Sequence, residues 1–466
     1  MKKIAIIGAG AAAERFIETV LSSSLKDSFN ITAIFDDDVN KINSSIHGLS
    51  VTDTIEHLNK YIDLFESIVI AIPSCSESEF DRIYSLCSKT GKKVLTIPSH
   101  KDILNKSQEI SSVRDISIKD LIDRDEMPIN HNNIAKAVKD KVVLITGGAG
   151  SIGSVILQLC LENQVKEIIC IDSSEFNTYT LIQSINAENI TFETGDIKDY
   201  KMMNFYFDKY SPDIVFHAAA LKHVNLQESD IRNSLLTNFF GTDIILELSI
   251  EYNVENFVLI STDKAVEPSN NMGLSKRLAE LLAINYSLNS DTKISIVRFG
   301  NVIGSSGSVL NHFSDLIKKK QDIVITDKNV KRFFMSIHEA CYLVLESINN
   351  TNKNCQIFMI DMGEEILIQD IAKKLIHLNG LKVNEDIKIV FGELKKGEKI
   401  SEKLNYNFES ISKTKTKKLL SLTGDYNSKL TNFQLFKNNL KNLLYSRDIS
   451  SKKIELMIKN EFKNLV

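Results

Sequence analysis

The stretch Val142-Val143-Leu144-Ile145-Thr146-Gly147-Gly148-Ala149-Gly150-Ser151-Ile152-Gly153 decides the fold of this chain. Its four apolar residues read as a buried strand, and T-G-x-x-G-x-x-G follows at the junction with a helix. The glycines permit a tight turn that lets backbone approach a pyrophosphate, and the helix N-terminus presents N–H groups to it. Strand, turn and helix in this order are more specific than a lone G-x-G-x-x-G. Gly147, Gly150, Ser151, Ile152 and Gly153 are the expected contacts.

Working outward, Ile168-Ile169-Cys170-Ile171 reads as the next strand and ends at Asp172. A carboxylate there accepts hydrogen bonds from a ribose diol and repels a 2′-phosphate, which favours NAD over NADP. Asp196 and Ile197 follow a third strand, where such folds contact adenine. The run Ile214 to Ala220 is the fourth, and Ala218, Ala219 and Ala220 let backbone lie along a cofactor. Each piece alone has a structural reading, as packing or as a turn acid. All five in order and at this spacing point to a dinucleotide site.

A second nucleotide fold precedes this one. Ile4-Ala5-Ile6-Ile7 leads into Gly8-Ala9-Gly10-Ala11-Ala12-Ala13, a G-x-G-x-x-A turn, and a strand from Ile31 to Phe35 ends at Asp36. Later strands close on Pro73-Ser74 and on Pro98. Alternating strands and helices imply a small parallel sheet over residues 1–108. Two readings stand for it, a regulatory nucleotide-binding module or a scaffold that kept only the fold. The expected architecture is therefore α/β, with two Rossmann-like parallel sheets in series. Residues 109–138 read as a connector, 139–425 as the larger catalytic domain with a C-terminal substrate-binding subdomain, and 426–466 as a helical tail.

The bulk numbers agree with two to three domains for 466 residues. A hydrophobic share of 43% with 25% charged residues is that of a globular protein. A net charge of -4 argues against a general nucleic-acid binder. Six cysteines without Cys-x-x-Cys spacing or clustered His suggest neither a metal site nor a disulfide framework, and suit a reducing cytoplasm. No apolar run approaches the roughly 18 residues of a membrane span. In the tail, Phe433, Phe436, Leu440, Leu443 and Leu444 form one apolar stripe, and Ile454, Met457, Ile458 and Leu465 another. Weak membrane-surface or partner binding competes there with packing on the chain's own domain, and packing is the expectation.

The chemistry is carried by Ser261-Thr262-Asp263-Lys264 and Asn271-Met272-Gly273-Leu274-Ser275-Lys276. A hydroxyl residue ends a strand, an adjacent acid and amine follow, and Lys276 lies four residues after Met272. A thioether cannot accept a proton at ordinary pH, so any proton chemistry falls to the Asp263–Lys264 pair. The competing reading is a plain salt pair on a loop.

With these residues in view, the chain resembles the nucleotide-sugar 4,6-dehydratases of the extended short-chain dehydrogenase family, in particular the polysaccharide-biosynthesis type acting on UDP-N-acetylglucosamine. The resemblance spans about residues 1–420. It includes Phe35-Asp36-Asp37-Asp38, the run from His217 to Val224, Thr237 to Thr242, Arg298 to Val302, Gly304 to Val309, Arg332 to Met335, and Gly397-Glu398-Lys399. It implies that NAD oxidises C4, that a base removes the acidified C5 hydrogen, that an acid protonates the departing C6 hydroxyl, and that hydride returns to C6. The resemblance assigns the acid to Asp263 and the base to Lys264, with Thr262 on the C4 oxygen. Burial would favour the neutral forms both need. It also places Lys222, Asn238 and Lys276 at the cofactor, and Lys222, His223, Asn301, Ser308, Arg332, Lys395 and Glu398 at the UDP-sugar. Arg332 has a rival reading as a helix-surface salt bridge. Lys395-Lys396 stands where Arg-Pro is usual, which loses bidentate geometry toward phosphate.

Members with Met at position 272 resemble the subgroup that retains configuration at C5. The acceptor of the C4 hydroxyl proton is open between Asp263 and a water held by Thr262. Long members commonly begin with membrane helices, which this sequence does not show; it reads either as a member without them or as a piece cut at the membrane boundary, and the Met1-Lys2-Lys3 start favours the former. A homodimer is the family's expectation. A C4 epimerase and a non-catalytic NAD sensor are the rivals, the first opposed by Asp263-Lys264 and Met272 together.

Overall fold

The computed structural model describes residues 1–22, 28–73, 75, 77–97, 114–115, 127–379, 381–426, 430, 433–446 and 449–462. Two compact units emerge. One comprises Met1–Asp125, Val309–Ile325 and Gln369–Phe391, and the other Glu126–Ser308, Thr326–Ile368 and Gly392–Val466. Two segments of the second half thus group with the N-terminal sheet.

The first unit holds a seven-stranded sheet in the order Ser45–Ile46, Leu49–Asp53, Phe29–Phe35, Lys2–Ile7, Ser67–Ile70, Lys93–Thr96, Arg114–Asp115. Its inner strands are parallel, and both faces are covered. Ile4 and Ile6 pack with the helix Ala11–Ser22 through Phe16, Ile17 and Val20. Ala5 and Ile7 point the other way, onto Phe65, Ile83 and Tyr84. That alternation is the period of a strand buried on both faces. Pro98 and Ser74, expected at strand ends, lie outside the described residues.

The second unit holds a nine-stranded sheet among the described residues. Its order is Ile190–Thr194, Glu167–Asp172, Val142–Thr146, Ile214–His217, Asn256–Thr262, Lys293–Phe299, Cys355–Ile360, Leu419–Thr423, Ser410–Lys413. The first seven run parallel and the last two return antiparallel. The strand order turns back at Val142–Thr146, so a crevice opens between the carboxyl ends of that strand and Ile214–His217, the place where such sheets bind ligands. This is the expected α/β class.

Within residues 109–138, read as a connector, His131–Val138 is a helix. Asn130 caps it by accepting from the Asn133 N–H, and Ile134, Ala137 and Val138 are buried against the sheet. Eight residues give too short a window for apolar periodicity to stand out. The rest of that connector, apart from Arg114–Asp115 and residues 127–130, lies outside the described residues.

The tail forms helices Phe433–Leu444 and Ser451–Glu461. Phe433, Phe436, Leu440, Leu444, Ile454 and Ile458 join the same core as the helices Thr242–Glu251 and Asn271–Ser287. Burying each such side chain contributes about 1.5–3 kcal/mol. Lys437 reaches inward and its ammonium meets Asp243 at 2.9 Å. Leu465 lies outside the described residues. No helix among the described residues is long and apolar enough to cross a membrane.

Candidate active site

The glycine turn after Val142–Thr146 is set by close approach. Gly147 has φ +65°, and a Cβ on it would lie 2.6 Å from the Ala219 nitrogen. A Cβ on Gly153 would lie 2.2 Å from the Gly147 carbonyl oxygen. Gly150 caps the helix Ser151–Leu161 in extended conformation, without a side chain over the first turn. The turn, Ala218, Ala219 and the helix N-terminus therefore come together as the sequence suggested.

Asp172 stands at the end of Glu167–Asp172 and is hooked to that turn. Its Oδ2 accepts from the Ala149 N–H at 3.1 Å and its Oδ1 from the Ser174 N–H at 2.9 Å. Asp36 repeats this arrangement in the first unit, accepting from Ala9 at 2.6 Å and Asp38 at 2.9 Å, with Lys41 at 3.2 Å. Asp196 turns its carboxylate to the Lys198 N–H at 3.0 Å. Ile197 is buried in the core and faces Gly241.

His217 is buried between two threonines. The Thr242 hydroxyl donates to the Asn238 carbonyl at 2.7 Å, so its oxygen accepts from His217 Nε2 at 2.9 Å. Nδ1 is then the acceptor for the Thr146 hydroxyl at 2.7 Å. Burial, helped by the Lys276 charge, pushes this imidazole down to about 3 and keeps it neutral. Asn238 sits in a π-helical turn, Leu235–Gly241, a local unwinding frequent at functional sites. Its amide clasps the Leu221 backbone at both ends, 2.8 and 3.0 Å, and reaches Ser275 at 2.9 Å.

The segment after Asn256–Thr262 carries the Asp263–Lys264 pair. Asp263 is fully buried, and its Oδ1 accepts from the Thr262 hydroxyl at 2.8 Å and the Lys264 ammonium at 3.0 Å. Its Oδ2 is buried without a hydrogen-bond partner among the described residues and faces Gly300, where a Cβ would come within 2.9 Å. Lys264 also donates to Asn301 Oδ1 at 3.3 Å. The adjacent acid and amine therefore converge, although neighbours on an extended strand would point apart. A single 3-10 turn over Asp263–Ala265 reverses that divergence.

Met272 and Lys276 lie on the first turns of Asn271–Ser287, at 4% and 5% exposure. Burial pulls the Lys276 ammonium down to about 8, against the pull of Glu280. Gly273, between them, lets the helix seat on the backbone of Lys264.

Further out, Lys222 donates to the Ser306 carbonyl at 2.7 Å, and Ser151 contacts Ser306 at 3.3 Å. Gly307 lies against the His223 ring. Burial lowers both Lys222 and His223, the latter also through the Lys222 charge. This loop, which leads to Ser308, thus spans the glycine turn and the 222–223 segment.

Arg332 is on the strand Lys331–Arg332, which removes the helix-surface reading. It is 8% exposed because its guanidinium turns back onto the Lys331 and Ile400 carbonyls, 3.7 Å from Glu398. Glu398 in turn accepts from the Lys395 N–H at 3.3 Å and the Thr326 hydroxyl at 2.9 Å. Gly397 and Lys399 have roles the sequence did not suggest. Gly397 packs on Asn270, and Lys399 holds the Val266 carbonyl at 3.0 Å.

No group of acids, histidines or cysteines suited to a metal occurs among the described residues.

Residues 143–423 match the family described as polysaccharide biosynthesis protein. The chain is 37% identical over 406 residues to the probable polysaccharide biosynthesis protein EpsC of Bacillus subtilis, across 86% of this chain and 67% of that protein. It is 34% identical over 250 residues to a UDP-glucose 4-epimerase of Rickettsia felis, covering 52% and 72% respectively. Among solved structures, Pen from Bacillus thuringiensis matches with TM-score 0.57 and 32% identity, over 62% of this chain and 87% of that one. This chain belongs to the polysaccharide biosynthesis protein family, of the extended short-chain dehydrogenase type.

Proposed function

We propose that this chain is an NAD-dependent nucleotide-sugar 4,6-dehydratase that acts on UDP-N-acetylglucosamine and retains the configuration at C5. The observation that carries this reading is the buried pair Asp263–Lys264, an acid and an amine 3.0 Å apart directly after the hydroxyl of Thr262. A buried acid–base pair beside a hydride acceptor suits elimination, where one group takes a carbon-bound proton and the other delivers one to a leaving oxygen.

The turn at Gly147–Gly153, Asp172 and Lys276 are the groups that would hold NAD. When bound, that cofactor accepts hydride from C4 and later returns it to C6. Thr262 holds the C4 oxygen. Lys264 takes the C5 proton, made acidic by the ketone beside it. Asp263 gives its proton to the C6 hydroxyl, which leaves as water. The proton on Lys264 returns to C5 from the side it left, so configuration is kept. Asp263 recovers a proton from the C4 hydroxyl of the sugar at the oxidation step, through Thr262, whose hydroxyl it already accepts. For this balance the acid enters the oxidation step as carboxylate and leaves it protonated, and Lys264 acts as a neutral amine when it takes the C5 proton. Net change is loss of one water, with the cofactor restored.

The 34% identity to a UDP-glucose 4-epimerase favours a second reading, C4 epimerisation. Met272 opposes it, since a thioether cannot relay the proton that such an exchange needs. Purified protein incubated with UDP-N-acetylglucosamine and followed by mass spectrometry separates the two. Dehydration lowers the mass of the sugar nucleotide by one water, whereas unchanged mass with a new retention time would establish the epimerase.

A further inference from the structure

Beneath the reactive segment lies a buried group of charges that the proposed chemistry does not use. Arg277, Glu280 and Arg298 have no exposure, and Glu409 has 5%. Arg298 grips Glu280 with two parallel bonds of 2.8 Å and reaches Glu409 with a third, also 2.8 Å. Arg277 adds a bond of 2.9 Å to Glu280, and its guanidinium stacks 4.4 Å from the Tyr406 ring centre. Tyr426 donates its hydroxyl to Glu409, and the Tyr406 N–H does so at 2.7 Å. Two guanidinium groups thus face two carboxylates. Burial alone would raise Glu280, but the two arginines outweigh it and hold that carboxyl down to about 2.

Two hydroxyls connect this group to the site. The Ser261 hydroxyl donates to Glu280 at 2.6 Å, and Ser261 directly precedes Thr262. The Tyr406 hydroxyl donates to the Ala265 carbonyl at 3.0 Å, directly after Lys264. The reactive residues 262–264 are therefore pinned on both sides, from residues that come from four separate parts of the chain. The short run from Arg298, on the strand Lys293–Phe299, to Asn301 supplies Arg298 to the network, Gly300 against Asp263, and Asn301 to Lys264.

We infer that Ser261 and Tyr406 are positioning residues, which transmit the rigidity of the Arg277–Glu280–Arg298–Glu409 network to the Thr262–Asp263–Lys264 segment. Two carboxylates and two guanidinium groups of fixed geometry form a stiffer anchor than apolar packing, because each bond constrains direction as well as distance. Placement of a reacting group matters steeply, and an error of about 1 Å can cost about a hundredfold in rate. The catalytic half of the inference rests on the dehydratase reading, and the mechanical half does not.

Removing a charge from the network would leave its partner buried and unpaired, which destabilises the fold enough to confuse misfolding with mispositioning. The test therefore deletes only hydroxyls, in Ser261→Ala, Tyr406→Phe and the double variant. Hydrogen exchange at residues 262–266 is measured beside kcat and KM for UDP-N-acetylglucosamine. Exchange there is expected to quicken about tenfold, with the rest of the sheet unchanged. Each single variant should lose about tenfold in kcat with KM changed less than about twofold. Unchanged exchange at 262–266 overturns the inference, as does faster exchange with full kcat. If the unaltered protein turns over no UDP-N-acetylglucosamine while the variants still exchange faster at 262–266, the dehydratase reading falls and the anchoring of the segment stands.

Discussion

The carbonyl oxygen of Lys264 lies against the Cα of Gly273, so closely that a Cβ at that position would be 2.2 Å away. This contact joins the two sequence stretches that the proposed chemistry uses, since Gly273 separates Met272 from the turn that ends at Lys276. Helical backbone can approach the Asp263–Lys264 turn only where a side chain is missing. Asn270 fixes the approach by accepting from the Gly273 N–H at 2.7 Å.

Gly273→Ala should therefore displace Lys264 from Asp263 or push the helix off its seat. Overpacking of this kind costs about 1–3 kcal/mol. The variant is expected to melt lower and to lose at least about a hundredfold in turnover, because displacement falls on the reactive amine. A crystal structure would show the Lys264 carbonyl moved. Full activity in Gly273→Ala would mean that this contact does not set the site.

Asp263→Asn tests the acid itself. The amide keeps shape and volume but has no proton to give to a leaving hydroxyl. Turnover is expected to fall by about a thousandfold or more, within the range that general acid–base groups supply. Met272→Tyr, in contrast, is not needed for activity and should not rescue Asp263→Asn. An active Asp263→Asn protein, assayed by water loss from UDP-N-acetylglucosamine, would remove Asp263 from the acid role.

Much of this architecture was legible in sequence, for a local reason. The two glycine turns, the acids Asp36 and Asp172 at strand ends, and the apolar stripes of the tail are each signals within a few residues. Their structural outcome follows from turn geometry and strand or helix period. The Asp263–Lys264 pair was legible as residue types, but its convergence needed the short 3-10 turn that no spacing announces. The buried charge network was illegible. Glu280 and Glu409 are 129 residues apart, and their pairing through Arg298 arises only when antiparallel strands 410–413 and 419–423 close the sheet. Segments 309–325 and 369–391, which group with the first unit, carry no motif that announces it.

His217 gives the structure a pH dependence whose sign can be worked out. In the folded chain burial holds its pKa at about 3, while in the unfolded chain it titrates near 6.5. Below 6.5 the unfolded state gains a proton that the native state does not take until about 3. This contribution to stability is complete above 6.5 and is lost as pH falls through that window, at about 1.4 kcal/mol per pH unit. Urea unfolding followed by circular dichroism at pH 7.5 and 5.5 measures it, in a chain that has no Trp. His217→Asn should flatten the difference, and an identical slope in that variant would show that other groups produce it.

Asp172 can be separated into two roles by two substitutions. Its Oδ2 fixes the glycine turn through Ala149, and its charge is available to a ribose diol. Asp172→Ala removes both. Hydrogen bonds to a charged group contribute about 1.5–3 kcal/mol, so NAD affinity is expected to fall by about tenfold or more. Asp172→Asn keeps one acceptor, for the Ala149 N–H, but turns an amide donor toward the Ser174 N–H and no longer repels a 2′-phosphate, so discrimination against NADP should weaken with a smaller loss of melting temperature than in Asp172→Ala. Cofactor released from the purified proteins by heat and quantified by chromatography, together with titration of each cofactor, reads both effects. If Asp172→Ala retains as much NAD as the unaltered chain, the crevice at this switch point is not where the ribose binds.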